Sequence, residues 1–160
     1  RSSIQNDVPI IGTYNVNQKG SGDMYSKGAN VLHTIRQLVD DDEKWRTILR
    51  GLNKEFYHRT VTTKQIEDYI SSSSGIDLSR FFDQYLRTVK IPILEYQVKG
   101  KKLRYRYTNI IKGFEMPVKI SINGTQDWVY PTSGWQSKSF KKDILSVDVD
   151  NNFYVDYKKI

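Results

Sequence analysis

The amino-acid sequence predicts an α+β protein in which helices come first and strands follow without mixing. Apolar residues recur at intervals of three and four before Ile91-Pro92, which is typical of amphipathic helices, and they alternate after it, which is typical of strands. The composition, 38% hydrophobic and 27% charged, is that of a globular protein. We therefore expect a helical bundle segment over residues 1–90 and an antiparallel β-sandwich over residues 91–160.

The helical part is expected to contain four amphipathic helices joined by short connections, after an irregular lead-in over residues 1–22. Side chains that can cap a helix N-terminus stand before each apolar stripe. In chain order they are Asp23, Asp41 or Asp42, Thr62 with its capping-box partner Gln65, and Asp77. Gly75 is expected to end the third helix, since glycine readily closes a helix C-terminus.

The second part is expected to contain about seven short strands, a number that suits a sandwich or small barrel. Gly100 predicts a hairpin turn, and Asn123-Gly124 predicts a type I′ turn. Asn123-Gly124-Thr125 also matches the acceptor motif for N-glycosylation, but the flanking strands favour the turn. The expected strands lie in ILEYQVK, KLRYRYT, VKISI, TQDWVY, WQSKSF, ILSVDV and FYVDY.

Composition excludes several kinds of chemistry. Cysteine is absent, so disulfides, thiolate metal sites and a cysteine nucleophile are excluded. The two histidines, His33 and His58, are too few for a three-histidine zinc site. Glu55 and His58 form one E-x-x-H without the second copy that a di-iron bundle needs. No apolar run reaches the roughly 20 residues of a membrane-spanning segment.

The net charge of +7 is concentrated in the strands: residues 1–90 carry 13 basic against 11 acidic residues, and residues 91–160 carry 12 against 7. Such a surface permits binding to polyanions, although a solvated face is the commoner explanation. Aromatic residues on the strands suggest a stacking platform for sugars or single-stranded nucleic acid, but they usually serve cross-strand packing. We therefore predict no nucleic-acid partner. The platform would comprise Tyr105, Tyr107, Trp128, Tyr130 and Trp135, with Arg104, Arg106 and Lys119 nearby.

The segment DMYSKGANVLH, residues 23–33, resembles the aminopeptidase N–like zinc metallopeptidases, in which Y-x-K-G-A-x-x-L opens a helix after the zinc-binding motif. The resemblance continues through Leu49-Arg50, residues 62–67 and FFDQYLR at residues 81–87. It extends to Ile91-Pro92, where that family enters a β-sandwich. About residues 7–95 carry the match, and the later strands fit in layout.

The resemblance implies a catalytic role for Tyr25, whose phenol would donate a hydrogen bond to the oxyanion of the tetrahedral intermediate. The position suits this role, because a helical side chain leans toward the helix N-terminus, where the dipole strengthens a donor. The alternative is that Tyr25 packs against the lead-in. The family's H-E-x-x-H and G-x-M-E-N motifs are absent from this sequence, so the resemblance implies no zinc ligand in this chain.

We therefore predict a C-terminal part of a zinc-dependent aminopeptidase that hydrolyses N-terminal residues from peptides. The parent enzyme would hold zinc and peptide substrate through segments outside this chain, and the chain alone would be inactive. One alternative is a non-catalytic β-sandwich module that binds a polymer or a protein partner. Another is a catalytically inactive family member that serves as a scaffold. Cellular location is not predicted.

Overall fold

Helices precede strands throughout the computed structural model, which describes residues 1, 3–16 and 20–160. The predicted α+β class is thus confirmed. Within the expected lead-in, residues 3–16 and 20–21 form no helix or strand, whereas residues 2 and 17–19 lie outside the described residues. The helices are a 3₁₀ turn at Gly22–Met24, then α1 Ser26–Val39, α2 Asp42–Glu55, α3 Thr63–Ser74 and α4 Ser79–Leu86.

Two of the predicted helix caps have the expected geometry. Asp41 accepts a hydrogen bond from the Lys44 amide at the start of α2. Thr62 and Gln65 form both bonds of the capping box before α3. Gly75, at φ 74°, closes α3, so the serine run that precedes it belongs to the helix.

The other two helix starts differ from the prediction. Asp23 does not cap α1, because its carboxylate accepts hydrogen bonds from the amides of Gln5 and Asn6 in the lead-in. Tyr25 occupies the N-cap position of α1 instead and makes no side-chain cap bond. Asp77 does bond the Ser79 amide in the first turn of α4, but Leu78 is the N-cap residue.

The strands form two sheets with the orders β5-β2-β1-β7 and β4-β3-β6. Their bounds are β1 Ile93–Lys99, β2 Lys102–Thr108, β3 Val118–Ile122, β4 Thr125–Val129, β5 Gln136–Ser139, β6 Val147–Val149 and β7 Asp156–Lys159. All described pairings are antiparallel except that of β1 with β7. Between β6 and β7 the chain leaves one sheet and joins the edge of the other, where β7 runs parallel to β1.

The turn between β3 and β4 has the predicted positive φ angles, 50° at Asn123 and 82° at Gly124. The Asn123 side chain is fully engaged by a neighbouring loop. Its Oδ1 accepts from the amides of Leu145 and Ser146, at 2.7 and 3.1 Å, and its Nδ2 donates to the Asp143 carbonyl at 2.8 Å. A glycan on Nδ2 would disrupt this arrangement, so the structure favours the turn function over the modification.

A continuous hydrophobic core joins the helices to the sheets. Tyr85 of α4 is fully buried, and its hydroxyl donates to the carbonyl of Tyr154 at 2.6 Å. Thr34 of α1 accepts from the Tyr154 amide through its hydroxyl at 3.0 Å. The segment between β6 and β7 is therefore held by two helices. The division into domains at residues 90 and 91 stays a prediction.

Gln84 of α4 connects the helices to the strands through its side-chain amide, which is fully buried. Its Nε2 donates to the carbonyls of Lys90 and Asn109, at 2.8 and 3.2 Å. Its Oε1 accepts from the Ile111 amide at 2.8 Å. One glutamine thus pairs three backbone groups that would otherwise lack partners where the chain passes from α4 into β1 and from β2 toward β3.

Candidate functional site

Tyr25 lies at the joint between the 3₁₀ turn and α1, with helical dihedral angles of φ −78° and ψ −58°. Tyr25 is 82% exposed. The ring therefore does not pack against the lead-in, which was the alternative to a catalytic role. A Cβ added at Gly28, one turn further along, would meet no atom within 4 Å. The phenol therefore stands uncrowded at the N-terminal end of α1.

The two residues that flank Tyr25 at a spacing of two are both buried. Asp23 is 4% exposed, and its two carboxylate oxygens accept from the Gln5 amide at 2.9 Å and the Asn6 amide at 2.6 Å. Lys27 is fully buried, and its Nζ donates to the carbonyl of Thr88, just beyond α4, at 3.0 Å. An outward Tyr25 thus separates two inward, tethered ionisable groups.

Burial lowers the pKa of the Lys27 ammonium, while the charge of Asp23 acts in the opposite direction and raises it. The two groups are therefore electrostatically linked although their charged atoms form no ion pair. The capping pattern predicts a helix cap at Asp23, and no pattern predicts a role for Lys27. The position of Lys27 within the Y-x-K-G-A stretch is the one sequence feature that could have indicated a role for it.

Neither histidine belongs to a cluster that could hold a metal. His33 Nε2 lies 3.0 Å from Asn152 Oδ1, a bond that joins α1 to the segment after β6. His58 has a positive φ of 52° and contacts the ring of Tyr57 edge-on. Glu55 lies 3.6 Å from Arg59. Among the described residues, no three His, Asp or Glu side chains come together as a candidate metal site.

The aromatic residues on the strands do not form one platform. Tyr105 and Tyr107 are buried in the core. Trp128 packs edge-on against Phe153, while Tyr130 is exposed nearby. Two guanidinium groups lie over the ring of Trp135, at 5.0 and 4.6 Å from its centroid. They belong to Arg104 and Arg106.

The outer face of the sheet β5-β2-β1-β7 is basic. Lys102, Arg104 and Arg106 alternate along β2, and Lys99 of β1 lies directly opposite Lys102. Only Glu95 offsets them on β1, through an ion pair with Arg106 at 2.8 Å. We call this surface, Lys99, Lys102, Arg104 and Arg106, the basic sheet face. Like charges directly opposite each other are unfavourable in isolation, so an anion would relieve them.

Among the described residues, none of the helices combines the length and the apolar character that crossing a membrane requires.

Comparisons with known proteins find sequence similarity to several aminopeptidases. The chain is 26% identical to "Aminopeptidase 2, mitochondrial" of Saccharomyces cerevisiae over 107 residues, which is 66% of this chain and 11% of that protein. It is 24% identical to "Aminopeptidase N" of Lactococcus lactis over 112 residues, 65% of this chain and 13% of that protein. The chain is 22% identical to "Probable aminopeptidase 1" of Sulfurisphaera tokodaii over 135 residues, which is 80% of this chain and 17% of that protein.

Among solved structures, the chain resembles Legionella pneumophila aminopeptidase A, determined in complex with aspartic acid, with a TM-score of 0.70 at 17% identity. The match covers 86% of this chain and 18% of that one, and it shows a shared fold. No family model matches the chain. The predicted resemblance to N-type aminopeptidases is thus confirmed, and the chain spans 11% to 17% of the length of the relatives described above.

Proposed function

We propose that this chain is part of a zinc-dependent aminopeptidase that hydrolyses N-terminal residues from peptides, with Tyr25 as its oxyanion-stabilising residue. The exposed Tyr25 phenol at the N-terminal end of α1 is the observation that carries the proposal. The likeness to aminopeptidases supports the reaction class.

The role of Tyr25 follows from the charge that develops in peptide hydrolysis. When water adds to the scissile carbonyl carbon, the carbonyl oxygen becomes an oxyanion, and a preorganised donor lowers the energy of that state. In this role the Tyr25 hydroxyl donates a hydrogen bond to the developing oxyanion. The dipole of α1 adds a positive potential at the same end of the helix.

Zinc is expected from the family resemblance, and it would activate a water molecule and polarise the scissile carbonyl. The described residues of this chain do not fit a zinc site, because they contain no suitable cluster of ligands. The ligands would therefore belong to a segment of the parent protein outside this chain. The 160-residue chain by itself is expected to bind no stoichiometric zinc and to hydrolyse no aminoacyl substrate.

The test is Tyr25→Phe in the full-length protein, assayed with aminoacyl 4-nitroanilides. Loss of one oxyanion donor is expected to lower kcat about 10²–10³-fold, while the midpoint of urea unfolding stays unchanged because the hydroxyl is exposed. Tyr57→Phe is the matched control, since Tyr57 is also an exposed tyrosine at a helix end. Full turnover in Tyr25→Phe would refute the assignment.

The basic sheet face favours a second candidate function, a non-catalytic module that binds an anionic polymer or protein. Retention of the chain on a heparin column that weakens steeply with salt would support it, because exposed charges are screened. Lys102→Glu combined with Arg104→Glu should abolish that retention. Equal retention of this variant would refute a role for the face.

A further inference from the structure

We infer that Asp23 and Lys27 are positioning residues that hold the Tyr25 ring outward at the start of α1. The inference rests on the proposed function, in which the Tyr25 phenol must meet an oxyanion. It extends that function to two side chains that would act through Tyr25 and would not touch substrate themselves.

Tyr25 lacks the side-chain cap that usually fixes the start of a helix. Ser, Thr, Asp or Asn at the N-cap position normally bonds the free amides of the first turn and sets the direction of the chain. Tyr25 stands at that position and makes no such bond. The direction of the backbone at Tyr25 must therefore be fixed by its neighbours.

Asp23 fixes the N-terminal side of Tyr25. Its carboxylate bonds two successive amides of the lead-in, Gln5 and Asn6, and its own amide donates to the Ser21 hydroxyl at 3.1 Å. The lead-in is fixed in turn, because Asn6 Nδ2 donates to the Tyr154 hydroxyl at 3.2 Å. The 3₁₀ turn before Tyr25 is thus tied to the core of the protein.

Lys27 fixes the C-terminal side. Its side chain runs inward from the first turn of α1 to the carbonyl of Thr88, whose hydroxyl donates to the Gln84 carbonyl at 2.6 Å. Lys27 is thereby joined to the segment that follows α4. Since the residues two before and two after Tyr25 are tied inward to different segments, rotation of the backbone between them would break bonds on both sides.

A stability role alone is a poor explanation for this arrangement. A buried lysine costs desolvation free energy, and a well-packed apolar side chain of similar volume is often neutral or stabilising at such a site. Orientation is a different requirement, because a displacement of about 1 Å in a reacting group can lower turnover about 10²-fold. The inward bonds of Asp23 and Lys27, on either side of Tyr25, would hold the ring in a fixed orientation.

The test is a double-mutant cycle in the full-length protein with Lys27→Met and Tyr25→Phe. We expect Lys27→Met alone to lower kcat about 10- to 100-fold with KM nearly unchanged. In the Tyr25→Phe background, Lys27→Met should cause little further loss, because the group through which it acts is gone. Equal losses in both backgrounds would show an effect independent of Tyr25 and would overturn the inference.

Asp23→Asn serves as the second variant, because asparagine keeps the shape of the side chain and retains one acceptor. It should show the same dependence on Tyr25 with a smaller loss. The matched controls are Lys64→Met and Asp68→Asn, from an exposed lysine–aspartate pair on α3 with a 2.6 Å contact. Both controls should keep full kcat.

A measurement that does not depend on enzymatic activity separates this inference from the proposed function. With 3-fluorotyrosine at Tyr25 of the 160-residue chain, Lys27→Met and Asp23→Asn should shift and broaden the ¹⁹F resonance, whereas Lys64→Met should not. An unchanged resonance in both variants would overturn the positioning role. If the resonance changes while Tyr25→Phe keeps full turnover, the proposed function fails and Asp23 and Lys27 position an exposed ring without a role in hydrolysis, which also overturns the inference as stated.

Discussion

Replacing Gln84 with leucine should destabilise the protein strongly, because one buried amide serves the whole junction between helices and strands. Leucine has a similar volume but no polar atoms, so the core stays filled while three hydrogen bonds are lost. At about 1 kcal/mol per bond, the free energy of unfolding should fall by about 3 kcal/mol. The carbonyl of Lys90 and the amide of Ile111 would then need water in a part-buried site.

Urea denaturation followed by tryptophan fluorescence and by far-ultraviolet circular dichroism measures this loss. With a slope of about 2 kcal/mol per molar urea, the midpoint should fall by about 1.5 M while the slope is unchanged. Gln126→Leu is the control, since Gln126 is exposed on β4, and surface changes of this kind usually alter stability by less than about 0.5 kcal/mol.

Both probes should report the same midpoint, because the core is continuous between the helices and the sheets. A loss below about 1 kcal/mol in Gln84→Leu would refute the role of the amide at the junction. Separate transitions for the two probes would instead show that the helices and strands unfold independently, and the prediction of a boundary near residue 90 would gain support.

Three further changes test other contacts. Tyr85→Phe should cost about 1–2 kcal/mol in urea denaturation, because the buried Tyr154 carbonyl loses its donor. Asn123→Ala should cost about 1–3 kcal/mol, since the loop after Asp143 loses the side chain that bonds it and alanine disfavours a φ of 50°. In Lys27→Met, the dependence of stability on pH should change between the lowered pKa of Lys27 and its unfolded value of 10.5.

The sign of the pH effect follows from proton binding. In that range the unfolded chain holds the Lys27 proton and the folded chain does not, so the lysine makes stability rise with pH. The difference between the wild-type and Lys27→Met stabilities, measured by urea denaturation at several pH values, isolates this contribution from the tyrosines. A difference that is flat or that falls with pH would contradict the burial argument.

Two further variants serve as controls. Tyr157→Phe should leave stability unchanged, because Tyr157 is half exposed on the edge strand β7. A loss in this control as large as that in Tyr85→Phe would remove the case for the buried bond. For the turn, Asn123→Gly should cost less than Asn123→Ala, because glycine accepts the positive φ; equal losses would show that the backbone angle is irrelevant.

Much of the fold could be predicted because it depends on local chemistry. Thr62 and Gln65 cap their own helix within one turn, and Asn123-Gly124 fixes its own turn, so sequence patterns identify both. The prediction that Asp23 caps α1 was wrong because its partners, Gln5 and Asn6, belong to a segment without any periodic pattern. A good capping residue bonds whichever free amides reach it.

The candidate site shows the same division. Tyr25 was found through the Y-x-K-G-A stretch, and its exposure agrees with the helical lean of its side chain. Lys27 was not given a role, because burial of a lysine depends on Thr88, which lies 61 residues away along the chain. The parallel pairing of β7 with β1 was missed for a similar reason, since strand direction depends on the route of the chain between sheets.

The segment between β6 and β7 has a consequence for the timing of folding. Thr34 bonds the Tyr154 amide across a sequence separation of 120 residues, and Tyr85 bonds the Tyr154 carbonyl across 69. Contacts between such distant residues form slowly, because a long loop must close before they contribute. During synthesis on a ribosome, the surfaces of α1 and α4 that contact Tyr154 would therefore stay uncovered until the segment between β6 and β7 has been made.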